Sequence, residues 1–315
     1  MRIALFGAGG DYSATVLEQL LYARGCEVVL VVVPRVPPGG GLRGILRRML
    51  VAHATRPLRS LARRRGIPTM RFDAAGDFPA ALRITSCDLI VVASFPHFLP
   101  ASVRDVARFG AVNVHPSLLP RHRGVDPLFW TFFEDDRWTG VTVHRIDDGV
   151  DSGEVIVQAS HAVARGTTSV ELTRTLARLG GEILIAHLET IAHGGIRGTP
   201  QDESSATTDP LPSTSGWRID WTCWPAERVW HFLCGVGATA PRLVDSAGAA
   251  VMVGPATRFI LTKRHRDPGT IERIRAGLRI STFDGVVETA RPPLSIRALH
   301  AAAAVARRMG LGRSR

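Results

Sequence analysis

Lysine is almost missing from this chain. Lys263 is the only one among 315 residues, so a formal net charge of +11 rests almost wholly on arginine. Such a bias can follow from a GC-rich genome and need not signal a polyanionic partner. Cysteine is sparse too: Cys26, Cys87, Cys223 and Cys234 lie far apart and never in CxxC spacing. That speaks against a disulfide scaffold or a zinc ribbon and fits a reducing cytoplasm. No run reaches the roughly 18 apolar residues of a membrane span. The opening MRIALFGAGG lacks a long apolar core and a cleavage site, so it reads as strand and turn, not signal peptide. The histidines His97, His115 and His122 do not combine with carboxylates at helical ligand spacing, so no metal is expected. No internal repeat is visible.

A dinucleotide fingerprint is also incomplete. Counting GxGxxG from Gly7 places Tyr12 at the third glycine, and Pro34 and Arg35 stand where an acid should end the second strand. The Gly-rich turn reads instead as backbone approaching a ligand. What remains is an ordinary globular composition, 45% hydrophobic and 21% charged, with length enough for two domains.

Against these absences stand two strings, NVHPSLLPRHRG (113–124) and DDGVDSG (147–153). The first ends an apolar run, GAVNVH. Residues i and i+2 of a strand share a face, so Asn113 and His115 project together while Val112 and Val114 pack behind. The second string carries Asp151 on a loop bracketed by glycines. Amide, imidazole and carboxylate form an acid/base set with an oxyanion donor. No serine or cysteine nucleophile stands beside them, which points to direct transfer onto a substrate nucleophile. Taken singly, each has an ordinary reading: Asn113 as a turn cap, His115 as a loop histidine, Asp151 in a surface turn.

Jointly, NVHPSLLPRHRG and TGVTVHRIDDGVDSGEVIVQ resemble the 10-formyltetrahydrofolate-dependent formyltransferase family. DLIVVASFPHFLP, RGIP and QDESSAT match further landmarks, so the resemblance covers residues 1–222 well and the rest weakly. It implies a Rossmann-like α/β fold with a mainly parallel sheet, followed by a smaller β-rich, barrel-like domain. It assigns catalysis to Asn113, His115 and Asp151. It places the folate co-substrate against Phe95, His97, Phe98 and Leu99, against Ser117, Leu118, Leu119 and Pro120, and against Asp147 and Gly149. Acceptor contacts would fall on Gly9, Gly10 and Arg43. An acid beside His115 is expected to raise the imidazole pKa. Asp147 is expected to be structural or to polarise a pocket water, and Asp148 to face solvent.

The remaining chain reads as alternating strands and helices. RIALFG, CEVVLVVVP, IPTMRF and DLIVVASF are strands, the unbroken apolar runs suiting a parallel sheet covered on both faces. Ser13 reads as an N-cap of the first helix and Ser102 as that of a helix over 101–109. TGVTVHRI and EVIVQASHAV form a hairpin with Asp151 at its tip. The expected organisation is a catalytic domain over 1–198, a Gly/Pro/Ser/Thr-rich linker over 199–216, a β-rich domain over 217–290 and a basic tail over 291–315. Residues 42–66 carry eight arginines and 291–315 six, neither with an acid. The best acceptor is therefore the α-amino group of initiator methionyl-tRNA, as in the family's methionyl-tRNA formyltransferases. The segment after the second strand departs from their basic loop, which keeps open an amino sugar, another small or carrier-bound amine, or water, the last giving hydrolysis of the formyl-folate. A monomer without membrane attachment is expected.

Overall fold

A computed structural model describes residues 1–8, 10–35, 56–72, 78–195, 197–212, 217–239, 241–263 and 266–292. The candidate residues Gly9 and Arg43, the arginine-rich stretch up to residue 55 and the basic tail beyond residue 292 lie outside them. The chain forms two compact units. One comprises Met1–Trp130, Arg137–Val163 and Val170–Leu211; the other takes Thr131–Asp136, Ala164–Ser169 and the chain from Pro212 onward.

The first unit is built on β1 (Arg2–Gly7), α1 (Gly10–Tyr22), β2 (Glu27–Pro34), α2 (Arg56–Arg64), β3 (Thr69–Phe72), α3 (Phe78–Arg83), β4 (Leu89–Ala93), α4 (Ala101–Arg104) and β5 (Ala111–His115). After β5 come β6 (Arg123–Gly124), α5 (Pro127–Phe133, counted with the second unit from Thr131), β7 (Trp138–Arg145), β8 (Val155–Ala162), α6 (Ser169–Gly194, with this unit from Val170) and β9 (Thr208–Asp209). Seven strands make one sheet in the order β3-β2-β1-β4-β5-β7-β8. The first five run parallel, and β7 and β8 pair antiparallel at one edge. The expected mainly parallel α/β sheet is therefore present. The continuous apolar runs of β1 and β4 are buried throughout after Arg2, as a sheet covered on both faces requires.

Helix starts differ from the sequence expectation. Ser13 lies inside α1, where its hydroxyl donates to the Ala93 carbonyl at 2.7 Å. That bond ties the helix to the end of β4 and replaces the capping role. α4 stops at Arg104 and is preceded by Pro100 in extended conformation, without a side-chain cap from Ser102. On the sheet, Phe6, Phe72, Phe78 and Phe95 pack edge to face, with Phe6–Phe95 and Phe72–Phe95 centroids 5.5 and 5.4 Å apart. Such aromatic pairs add about 0.5–1.5 kcal/mol beyond burial. Phe95 thus anchors the loop after β4 to the core.

The second unit is β-rich, as expected. A three-stranded sheet joins Trp217–Arg218, Arg242–Val244 and Ala250–Met252. A four-stranded antiparallel sheet joins Ala256–Leu261, Ile271–Arg273, Gly277–Ser281 and Gly285–Ala290. The helix Ala226–Val236 buries Val229, Phe232 and Leu233. Among the described residues, no helix is long and apolar enough to cross a membrane.

Candidate active site

Strand β5 delivers the first two side chains. Asn113 and His115 alternate with Val112 and Val114, both fully buried, so period-two packing fixes the face the polar pair presents. Antiparallel pairing sets His144 of β7 directly opposite Asn113. The β7–β8 loop then brings in Asp151, whose backbone takes φ +50°. This carboxylate is the hub. Its Oδ1 accepts from Asn113 Nδ2 at 3.1 Å and lies 3.4 Å from His144 Nε2. Its Oδ2 accepts from the Gly124 N–H at 2.9 Å and lies 3.6 Å from His115 Nδ1.

Gly124 stands where the geometry favours glycine. It sits at φ +108°, and an added Cβ would stand 2.9 Å from the Asp209 carbonyl oxygen. A side chain there would strain the backbone and shift the very N–H that holds Asp151.

Backbone carbonyls orient both imidazoles. His115 Nε2 lies 2.9 Å from the His122 carbonyl, and His144 Nδ1 lies 2.8 Å from that of Arg145. A carbonyl only accepts, so each of these nitrogens carries the proton. In neutral rings the lone pairs then reside on His144 Nε2, 3.2 Å from Asn113 Nδ2, and on His115 Nδ1, facing Asp151. His115 is 4% exposed, and burial pushes its pKa below the usual value, with the nearby carboxylate pulling the other way. This corrects the expectation of a raised imidazole pKa: desolvation of the cation outweighs the attraction of Asp151. Burial alone would raise the Asp151 carboxyl. The His115 and His144 imidazoles and the Gly124 N–H outweigh it and hold the group well below the carboxylate range.

A cavity of about 190 Å³ opens beside this cluster, lined by the polar Asn113, His144 and Asp151 and by the apolar Phe95, Phe98, Leu99 and Ile146. The mixed lining, apolar walls meeting converging polar groups, suits a flat heterocycle carrying a reactive arm.

Comparison with known proteins places the chain in a family. Residues 1–188 match the family model described as formyl transferase. This chain belongs to the formyl transferase family. A methionyl-tRNA formyltransferase of Anaeromyxobacter sp. is 36% identical over 231 residues, 73% of this chain and 70% of that one. Those of Deinococcus radiodurans and Agathobacter rectalis are 31% and 33% identical, over 91% and 94% of this chain and 86% and 90% of theirs. Among solved structures, HypX from Aquifex aeolicus superposes with a TM-score of 0.61 at 18% identity, covering 91% of this chain but only 44% of HypX. The N-formyltransferase from Helicobacter canadensis, in complex with folinic acid and dTDP-3-aminofucose, gives 0.59 at 13% identity, over 91% and 98%. These two likenesses establish the shared fold.

Within this formyltransferase, the candidate residues divide into two groups. Phe95, His97, Phe98, Leu99, Asp147 and Gly149 line the cavity. Ser117, Leu118, Leu119 and Pro120 do not line it. Ser117 Oγ donates to the Arg121 carbonyl at 2.8 Å, and the Leu119 N–H donates to Thr142 Oγ1 at 3.1 Å, so this turn is held against the sheet. Gly10 opens α1 at φ +69°. Asp147 accepts from the Gly149 N–H at 3.0 Å and from Ser152 Oγ at 2.9 Å, an arrangement that shapes the loop. The Asp148 side chain is 93% exposed, yet it holds the nearly buried Arg104 at 2.5 Å.

From the sequence alone His144 reads as either surface or pocket-lining; it lines the cavity. Its signal was the strand register: once β5 and β7 pair, Asn113 must face it. The Gly124 N–H and the walls Val125, Val150 and Ile146 were missed, because they serve through backbone and bulk and have no chemical signature of their own.

Proposed function

We propose that this formyltransferase moves the formyl group of 10-formyltetrahydrofolate onto an amino group, and that the amine is the α-amino group of initiator methionyl-tRNA. The carrying observation is the convergence of Asn113, His144 and Asp151 on the cavity, with the buried His115, which does not line it, 3.6 Å from the Asp151 carboxylate. The named relatives that align across nine-tenths of the chain support the acceptor. So does the arginine excess, since phosphate contacts favour polyanionic substrates.

The chemistry follows from the side chains. The heterocycle lies against Phe95, Phe98 and Leu99, which brings the formyl carbon to the polar edge. The amine nitrogen attacks that carbon, and the carbonyl oxygen becomes an oxyanion. Asn113 Nδ2 supplies a hydrogen bond to it by redirecting the proton it shares with His144. One such preorganised donor is worth roughly 3 kcal/mol in the transition state. The amine loses a proton, the bond from carbon to the folate nitrogen breaks, and that nitrogen gains a proton. Asp151 alone is a weak base, because its carboxyl is held so low. Asp151 lines the cavity and relays the proton; His115 Nδ1, 3.6 Å from its Oδ2, has the lone pair to receive it, and the carboxylate stabilises the imidazolium that results. The two titrate as a pair.

The test offers 10-formyltetrahydrofolate with charged initiator tRNA, with a panel of amino sugars, and with no acceptor while formate is measured. Formyl-methionyl-tRNA with a rate that falls steeply with salt is the expected result. Formylated amino sugar alone, or formate alone, overturns the tRNA assignment; no turnover of the folate in any arm overturns formyl transfer itself.

A further inference from the structure

We propose that Gln201 is a positioning residue for the transfer reaction, its single amide locking the Asp151 loop to the turn that carries Gly124. This rests on the assignment of Asp151 to the chemistry. Gln201 belongs to the stretch whose composition reads as linker, yet residues 199–211 run with the first unit. Its Nε2 donates to the carbonyls of Asp151 at 2.8 Å and Gly153 at 2.7 Å. Its Oε1 accepts from Arg123 Nε at 3.1 Å and Nη2 at 2.8 Å. All four bonds join two loops that are otherwise tied by the Gly124 N–H bond to the Asp151 carboxylate. Arg123 is 6% exposed and immediately precedes Gly124, whose N–H binds Asp151 Oδ2. Gln201 therefore spans the two backbone segments between which the carboxylate is suspended.

The neighbouring residues extend the same strap to His115. Thr207 accepts from the His122 N–H through Oγ1 at 2.8 Å, and its own N–H donates to the Pro120 carbonyl at 3.1 Å. Asp209 Oδ2 lies 2.5 Å from His122 Nδ1. His122, held at φ +59°, presents the carbonyl that fixes the His115 ring. The β6–β9 pairing completes the seam. A misplacement of about 1 Å in such a site costs on the order of a hundredfold in rate, so the strap's hydrogen bonds have kinetic weight.

Gln201→Met keeps the length and removes all four bonds; Gln201→Glu keeps an acceptor for Arg123 and loses both donors. Both are measured in the full chain for kcat, for the folate KM, for melting temperature and for the ¹³Cγ titration of Asp151. The charged groups facing that carboxylate are His115, His144 and Arg123. The expected result is a kcat 10- to 100-fold lower in Gln201→Met, a folate KM within about threefold of the parent, and an Asp151 titration moved up towards the ordinary carboxylate value. Gln201→Glu should not rescue kcat, because the carbonyls of Asp151 and Gly153 then face an acceptor. If Gln201→Met does not fold, Gln201→Glu carries the same readouts. A lowered melting temperature with kcat and the Asp151 titration unchanged overturns the proposal and leaves Gln201 a structural tie. If Asp151→Ala retains parent activity, the reading of the site fails first, independently of Gln201.

Discussion

The two sides of the candidate site are held by different physics. On one side, β5 and β7 present Asn113, His115 and His144 from the interior of a seven-stranded sheet, with Val112, Val114, Val141 and Val143 fully buried around them. On the other, Asp151 hangs from a loop at positive φ, tied by the Gly124 N–H and by Gln201. A sheet positions side chains through packing and register, which a single substitution shifts little. A loop positions them through a few hydrogen bonds, and each bond matters. The strand side should therefore lose chemistry only when a reacting group is removed. The loop side should lose it when a bystander is changed.

Removing the reacting groups gives the largest expected effects. Asn113→Ala and Asp151→Ala should each lower kcat at least a hundredfold, the scale of one lost oxyanion donor or of a general acid/base group. Circular dichroism and melting should show both still folded, because neither side chain belongs to the apolar core. Near-parent turnover by either variant ends the assignment of roles.

Gly124→Ala tests the bystander side. The new methyl meets the Asp209 carbonyl oxygen at 2.9 Å, on a backbone at φ +108°. Strain of this kind costs roughly 1–3 kcal/mol, so the melting temperature should fall by several degrees. The displaced N–H should also lower kcat by about tenfold or more, since a group misplaced by about 1 Å can cost a hundredfold. Unchanged kcat in a destabilised variant would show that Asp151 does not depend on its loop.

Acidification separates the two sides by pH. Burial places the His115 pKa below its unfolded value of about 6.5. The native state therefore binds fewer protons than the unfolded chain just below that pH. Its stability is full above about 6.5 and falls as pH drops towards the folded pKa. Asp151, held below the ordinary carboxylate pKa of about 3.9, adds stability that is lost only at lower pH. Thermal melts from pH 7.5 to 5 should decline more gently in His115→Gln than in the parent. The acid limb of kcat/KM should likewise fall below about 6.5. A limb above that value would mean that burial does not govern His115.

The same division explains what was legible beforehand. The fold class followed from unbroken apolar runs such as LIVVA and EVVLVVVP, and the shared face of Asn113 and His115 followed from a spacing of two. Both are local periodicities. Asp151 was a candidate from its glycine-bracketed loop, but its catalytic role was assigned by the string's resemblance to a known family. Gln201 acts on a residue 50 positions away, from a stretch whose Gly, Pro, Ser and Thr content signals a linker. Composition reports how a segment would behave alone; it is silent about hydrogen bonds made to distant carbonyls. The choice for His144 between surface and pocket stayed open for a related reason, since strand register appears only once the strands are paired.

The smallest expected effect makes the finest distinction. Arg123 is held by two partners, Gln201 and Glu203, and the Glu203 carboxylate is 70% exposed at 2.7 Å from Nη2. The pair is bidentate and Arg123 is buried, but the Glu203 charge stands in water and salt, and Glu203→Gln keeps one oxygen to accept from the guanidinium. The bonds from Gln201 face inward, onto the backbone of the catalytic loop. Glu203→Gln should therefore leave kcat within about twofold of the parent and the melting temperature nearly unchanged, even though it removes the charge paired with Arg123. If Glu203→Gln instead lowers kcat as much as Gln201→Met, then the guanidinium's charge balance, and not the amide bridge between the two loops, sets the position of Asp151.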